Sequence, residues 1–292
     1  MTTNNEHPIV VAIPTDDDLE AVLRYAVAEA RIHNCGVRLV HAHESGDEGY
    51  AEVVLGRAQS VARLLAGPSV RIRTRRIAGL PVQSVLAAST DARLVVLRRR
   101  DSLNLRRVLA DGGYPIGAER PIACVPPTWA PRVQDRRPVL LAVEDPADCA
   151  STLETGLRIA RAHRTSLHVL HVWHLPGRCD EMVERQVGSG MTDSLRASLL
   201  AELERCRHQE EFRDVPVDLD VRHGTAAELV VQLARNAQVV AIGRNQPGPD
   251  GSVRLGRVAR SLLYESPCPT LLLPSHRPAA TKPRQLANSG KN

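Results

Sequence analysis

The sequence predicts an α/β protein made of two repeats of a doubly wound, five-stranded parallel sheet, Rossmann-like in its winding. Three observations predict it. Short runs of valine, leucine and isoleucine alternate with longer segments of helical period, the pattern of strands buried on both faces beneath covering helices. The runs recur: PIVVAIP at 8–14 returns as PVLLAVE at 138–144, and GVRLVHAH at 36–43 returns 130 positions on as SLHVLHVW at 166–173, with His41 falling on His171. Further along, DARLVVLR at 91–98 matches NAQVVAIG at 236–243, and RPIACVP at 120–126 matches CPTLLLP at 268–274.

In the second copy the apolar runs place strands near 138–144, 166–173, 217–222, 238–243 and 269–273. Helices are expected between them, near 148–163, 191–210, 226–236 and 256–265. Right-handed crossovers then give an open twisted sheet of five strands per copy. The first domain is set at 1–127, a proline- and charge-rich linker at 128–137, and the second domain at 138–275. The tail 276–292 lacks apolar periodicity and is expected to be disordered. The connection 174–190, with Gly188 and Gly190, reads as a long surface loop or a hinged lid.

Composition narrows the function classes. Hydrophobic residues make up 43% of the 292 and aromatics only 2%, so the core must be aliphatic, and no series of aromatic platforms exists for nucleobases. The net charge of +5 is almost wholly arginine, since Lys282 and Lys291 are the lysines and both lie in the tail. The six cysteines are scattered without a C-x-x-C pair, which argues against a zinc site or a disulfide framework and suits a reducing compartment. The N-terminal apolar run is cut by Pro14 and then three aspartates, and no other run reaches bilayer length. A cytoplasmic protein without a membrane partner is the expectation.

Several local features have plain readings. Asp16-Asp17-Asp18 ahead of Leu19 and Glu20 suits a helix N-terminus better than a metal site. Arg98-Arg99-Arg100 with Arg106-Arg107 reads as a solvated loop rather than a nucleic-acid patch. His168, His171 and His174 cannot converge on a metal from one straight strand, because residues three apart point to opposite faces. Cys268 reads as a small buried residue. No metal ligands are assigned. No serine elbow, Cys–His pair or carboxylate pair marks a catalytic centre, so no catalytic residue is assigned either.

Both copies resemble the universal stress protein domain. The residues that carry the resemblance in the second copy are Glu144 after the first strand, His171-Val172 in the second, Gly224-Thr225-Ala226 before the third helix, Val239 to Gly243, the glycine loop IGRNQPGPDGSVRLGR at 242–257, and Cys268-Pro269. In the first copy they include His41-Ala42 and Gly79-Leu80-Pro81. ATP-binding members of that family carry a loop G-x2-G-x9-G-[S/T], in which glycines let backbone N–H groups approach phosphates at a helix start. The second copy keeps the spacing with Gly243 and Gly256, but has Gln246 for the middle glycine and Arg257 for the hydroxyl residue. The resemblance places Glu144 at the adenine, Val172 at the apolar wall, and Gly243, Arg244, Gly256 and Arg257 around the phosphates.

The first copy departs further. Pro14 stands for the acidic residue, Arg98 for the first glycine, and 23 positions separate Arg98 from Pro121 where 26 separate Gly243 from Pro269. The resemblance therefore implies a stress-response regulator, non-catalytic, with at most one ATP site, in the second domain. A nucleotide-free scaffold acting through an unidentified protein partner is the alternative, and a slow ATPase the third reading. It also implies an internal pseudo-dimer, with Leu271-Leu272-Leu273 pairing against Ile122-Ala123-Cys124.

Overall fold

The computed structural model describes residues 7–16, 18–110, 120–174, 180–244 and 255–274. The first half winds β1 (Ile9–Ala12), α1 (Glu20–Ile32), β2 (Val37–His43), α2 (Glu48–Ala66), β3 (Ile72–Ala78), α3 (Pro81–Ala87), β4 (Leu94–Arg98), α4 (Ser102–Ala110) and β5 (Ile122–Val125). The second repeats the order with β6 (Val139–Val143), α5 (Ala150–Ala162), β7 (Leu167–Trp173), α6 (Asp180–Arg207), β8 (Val217–His223), α7 (Ala226–Ala234), β9 (Val239–Gly243), α8 (Arg257–Glu265) and β10 (Thr270–Leu273).

All ten strands join one sheet, in the order β3-β2-β1-β4-β5-β10-β9-β6-β7-β8. Within each half every pairing is parallel, and β1 lies beside β4 as β6 lies beside β9. The halves meet at β5 and β10, which run antiparallel with Thr270 opposite Cys124, Leu271 opposite Ala123 and Leu272 opposite Ile122. Strand chemistry follows position. The central strands β4, β5, β6 and β10 are buried at every residue, whereas the two outer strands, β3 and β8, are largely exposed and carry charge.

The apolar core does not stop at the seam. One cluster runs from Ile9, Leu23 and Leu39 through Ala123 and Leu271 to Leu141, Leu157 and Phe212. A second joins Val95, Leu97 and Leu105 to Leu255, Ala259 and Leu263 of the other half. The helix–sheet contact is close enough at Gly156 that a Cβ there would stand 2.8 Å from Leu141 Cδ2.

Both halves make the same turn after their third strand. Gly79 has φ 121° and donates its N–H to the His43 carbonyl at 3.0 Å, and Gly224 has φ 138° and donates to the Trp173 carbonyl at 3.1 Å. Positive φ is what glycine permits without a steric penalty.

Two local expectations give way. α6 begins at Asp180, so most of the connection expected over 174–190 is helix and takes in Gly188 and Gly190. The cost of about 1 kcal/mol per helical glycine is overridden. The aspartates before α1 do not cap it: Leu19 occupies the N-cap with no side-chain hydrogen bond, and Asp16 turns instead to Arg98 and Arg100. Asp17, residues 175–179 and the tail 276–292 lie outside the described residues.

Candidate functional site

In a sheet of this winding a ligand crevice opens beyond the carboxyl ends of the strands where the winding reverses, here between β6 and β9 in one half and β1 and β4 in the other. The two crevices are built from equivalent positions with opposite chemistry.

In the second half, β9 ends at Gly243, and a Cβ built there would meet nothing within 4 Å among the described residues. Among those residues neither packing nor a left-handed backbone calls for glycine at this place. Gly256 forms the N-cap of α8 and, having no side chain, offers no cap of its own to the first turn's N–H groups. Arg257 opens the helix and is exposed. Glu144 follows β6 and is exposed, and Val172 is half-buried in β7, beside Ile242 at the edge of the cluster under α7 and α8. The register sets Glu144, Val172 and Gly243 at the neighbouring ends of β6, β7 and β9. Neither Glu144 nor Arg257 has a side-chain hydrogen bond or ion pair among the described residues.

Arg244 is placed differently. Its backbone N–H donates to the Leu273 carbonyl at 2.8 Å, and its guanidinium reaches that same carbonyl at 3.3 Å and the Arg120 carbonyl at 2.8 Å. The side chain is buried and spans the seam between the halves. Gln246 and Asp250 lie outside the described residues.

In the first half, Arg98 occupies the position of Gly243 and is buried. Its Nε and Nη2 each donate to a carboxylate oxygen of Asp101 at 3.0 Å, and its Nη1 donates to Asp16. Asp16 belongs to the segment after β1 and Asp101 to the turn into α4, so one guanidinium ties together both sides of the crevice. Burial alone would make the guanidinium easier to deprotonate, but Asp101 and Asp16 outweigh it and raise its pKa. The arginine run is solvated only in part: Arg100 and Arg107 are exposed, whereas Arg99 donates to the Ser266 carbonyl at 2.9 Å and Arg106 to the Tyr264 hydroxyl at 3.1 Å, both across the seam.

The histidines sort by their partners. His41 and His171 are buried and donate from Nδ1 to the Ile13 and Val143 carbonyls at 2.7 and 3.0 Å, the same bond in each half. Each fastens the second strand to the end of the first, beside the crevice. His168 faces Asp220 at 3.3 Å on the outer strand. Among the described residues no group of histidines, cysteines and carboxylates is arranged to hold a metal, and the five described cysteines are all buried and unbonded. No helix of the described residues is long and apolar enough to cross a membrane.

Residues 135–274 match the sequence profile of the Universal stress protein family. The second half of the chain is a universal stress protein domain. The chain is 25% identical to a universal stress protein of Mycolicibacterium smegmatis, in an alignment covering 92% of this chain and 97% of that one. A universal stress protein of Mycobacterium tuberculosis H37Rv is also 25% identical, over 91% of this chain and 95% of that one. Two solved structures share the fold across nearly the whole length. A universal stress protein from Archaeoglobus fulgidus superposes with a TM-score of 0.60 at 15% identity, covering 91% of this chain and 96% of that one. A Pseudomonas aeruginosa protein of unknown function does so at 0.59 and 17%, covering 93% of each. The universal stress protein fold is therefore written twice into one sheet.

Sequence reasoning missed the seam contacts. Glu29, His163 and Gln238 meet there, and nothing in their local sequence marks them.

Proposed function

We propose that this protein is a non-catalytic, cytoplasmic stress-response regulator with a single adenine-nucleotide site, for ATP, in the crevice of its second half. The observation that carries the reading is the exchange of Gly243 for Arg98 between equivalent strand ends: the space that Gly243 leaves open is, in the first half, taken by a guanidinium bound to Asp16 and Asp101. In this reading domain 1 (1–127) serves as a ligand-free partner for domain 2 (138–275), and the two act as a built-in pair.

The residues fit a nucleotide. Backbone N–H groups of the α8 first turn, beyond the uncapped Gly256, would face phosphate oxygens, and Gly243 would let those oxygens approach the strand end. The Glu144 carboxylate would accept from the adenine amino group, Val172 would supply an apolar wall, and the Arg257 guanidinium would pair with a phosphate. Arg244 would contribute through its place in the backbone alone, because carbonyls of both halves hold its side chain. Bound nucleotide supplies charge and contacts to α8, which sits on the cluster shared by both halves.

Calorimetric titration with ATP and AMP tests this. Micromolar binding by the native chain, abolished in Gly256→Val, is expected. No heat from the native chain, together with binding recovered in the double variant Gln246→Gly/Arg257→Ser, would replace the reading with that of a nucleotide-free scaffold working through protein contacts.

A further inference from the structure

The outer strand β3 pairs with β2 on one side only; no strand of the described residues meets its other edge. Its sequence runs Arg71-Ile72-Arg73-Thr74-Arg75-Arg76, and alternation puts Arg71, Arg73 and Arg75 on one face, spaced about 6.6 Å apart. Arg38 of β2 lies opposite Arg73 on that same face. Among the described residues, the carboxylate that meets this row is Asp91, which Arg38 holds with two bonds of 2.8 and 2.7 Å and whose pKa the charge of Arg75 also lowers. Arg75 reaches the Ala88 carbonyl at 3.4 Å, while Arg71 and Arg73 have no side-chain hydrogen bond or ion pair among the described residues. α3 covers this face only at its far end, where Ile77 packs into the core, so Arg71 and Arg73 stand bare beside a shallow cleft lined by Pro8, Gly36, Val37 and Arg38.

The second half contains its own control. β8 holds the same place at the opposite edge and is the same length, but its face carries Asp218, Asp220 and Arg222. There Asp220 pairs with Arg222 at 2.7 Å and with His168, opposite Asp218 in the neighbouring strand, at 3.3 Å. The fold thus permits a self-neutralised outer strand. On β3, Arg76 of the opposite face meets Glu52 at 3.5 Å, whereas Arg71 and Arg73 have no counter-charge paired to them among the described residues.

We propose that β3 is a docking edge for an extended acidic segment of another protein, which adds to the sheet as an eleventh strand with alternate carboxylates set against Arg71, Arg73 and Arg75. Charge on an edge strand repels neutral or basic strands and leaves one kind welcome, the kind of opposite sign. An edge of seven residues offers main-chain N–H and C=O groups that give affinity, and the arginine row selects the side chains. A nucleic acid is the less suited polyanion. It cannot use the main-chain groups, and no aromatic residue occurs in β3 or its flanks on which bases could stack.

The test uses the full chain and a fluorescein-labelled peptide alternating glutamate with threonine, read by anisotropy. Three further titrations accompany it: the chain with Arg73→Glu and Arg75→Glu, whose thermal midpoint is checked against the native chain; the same peptide with alternate amides N-methylated; and a single-stranded oligonucleotide of equal charge. The proposal expects binding to the native chain, at least about tenfold weaker binding by the charge-reversed chain, and a comparable loss on N-methylation. Backbone amide resonances of β3 should move on adding the peptide. No binding, equal binding by the N-methylated peptide, or oligonucleotide binding as tight as the peptide's would overturn it. So would sedimentation showing that a second copy of this chain occupies the edge.

Discussion

Glu29 of α1 and His163 at the end of α5 meet across the seam, with a carboxylate oxygen 3.3 Å from the imidazole Nε2 and less than a tenth of either side chain exposed. His33 stands 3.6 Å from the same carboxylate, and the other imidazole nitrogen of His163 meets the Gln238 side-chain oxygen at 3.0 Å. Burial pushes the Glu29 carboxyl up, but His163 and His33 outweigh it and bring its pKa from 4.5 to about 2. Burial likewise pushes His163 down, and Glu29 outweighs that and raises it above 6.5. Tyr25, buried beside Glu29, is held well above its ordinary value of 10.0 by burial and by that carboxylate's charge.

The signs set a pH profile. A lowered carboxylate adds stability that is complete above 4.5 and lost as pH falls toward about 2. A raised histidine adds stability that is complete below 6.5 and lost as pH rises through its folded pKa. The thermal midpoint should therefore be highest between about 4.5 and 6.5 as far as this pair governs it, and fall on either side. His163→Ala should cost about 3 kcal/mol near neutrality, because it strands a buried carboxylate, and should flatten the alkaline limb. A variant with the native profile would show that the pair does not govern the seam.

Gly243 separates folding from binding. With nothing within 4 Å of the added methyl, Gly243→Ala should leave the urea midpoint unchanged or slightly raised, by up to about 1 kcal/mol. ATP affinity should fall at least about tenfold if phosphates come as close as proposed. Equal affinity in both chains would place the ligand elsewhere.

Gly156→Ala should behave in the opposite way. Its methyl meets Leu141 Cδ2 at 2.8 Å and Leu167 Cδ1 at 3.2 Å, so these buried leucines must repack or α5 must shift, at a cost of about 1–3 kcal/mol in denaturant unfolding. Nucleotide affinity, measured in conditions where the chain stays folded, should change little.

Arg98→Gly removes the tie across the first crevice. Asp16 is left with Arg100 and Asp101 loses both of its bonds to the guanidinium, so stability should drop by about 1–3 kcal/mol. The shortened loop from Arg98 to Pro121 gives no reason for a second nucleotide to bind, and the titration stoichiometry should stay at one.

The strands were legible because burial on both faces forces continuous aliphatic runs such as VLLAV at 139–143, and the repeat fixed which run matched which. Glu29 was not legible: in the sequence it is one more acid on a helix, and only the seam, formed with residues more than a hundred positions away, removes it from water. Arg98 was conspicuous as the replacement for a glycine, yet Asp16 looked like a helix-start residue and nothing singled out Asp101 until the strand ends brought them together. The start of α6 was hidden by Gly188 and Gly190, whose local preference is against helix.

The antiparallel meeting of β5 with β10 has a consequence for how such a protein can change. Two identical subunits joined at that seam would receive every substitution twice, so an arginine that filled one crevice would fill both and the molecule would lose its ligand altogether. Within a single chain the substitution falls once. On the proposed reading, Arg98 would turn one half into permanent scaffolding while Gly243 leaves the other open, giving the molecule a front and a back that a symmetric pair could never tell apart.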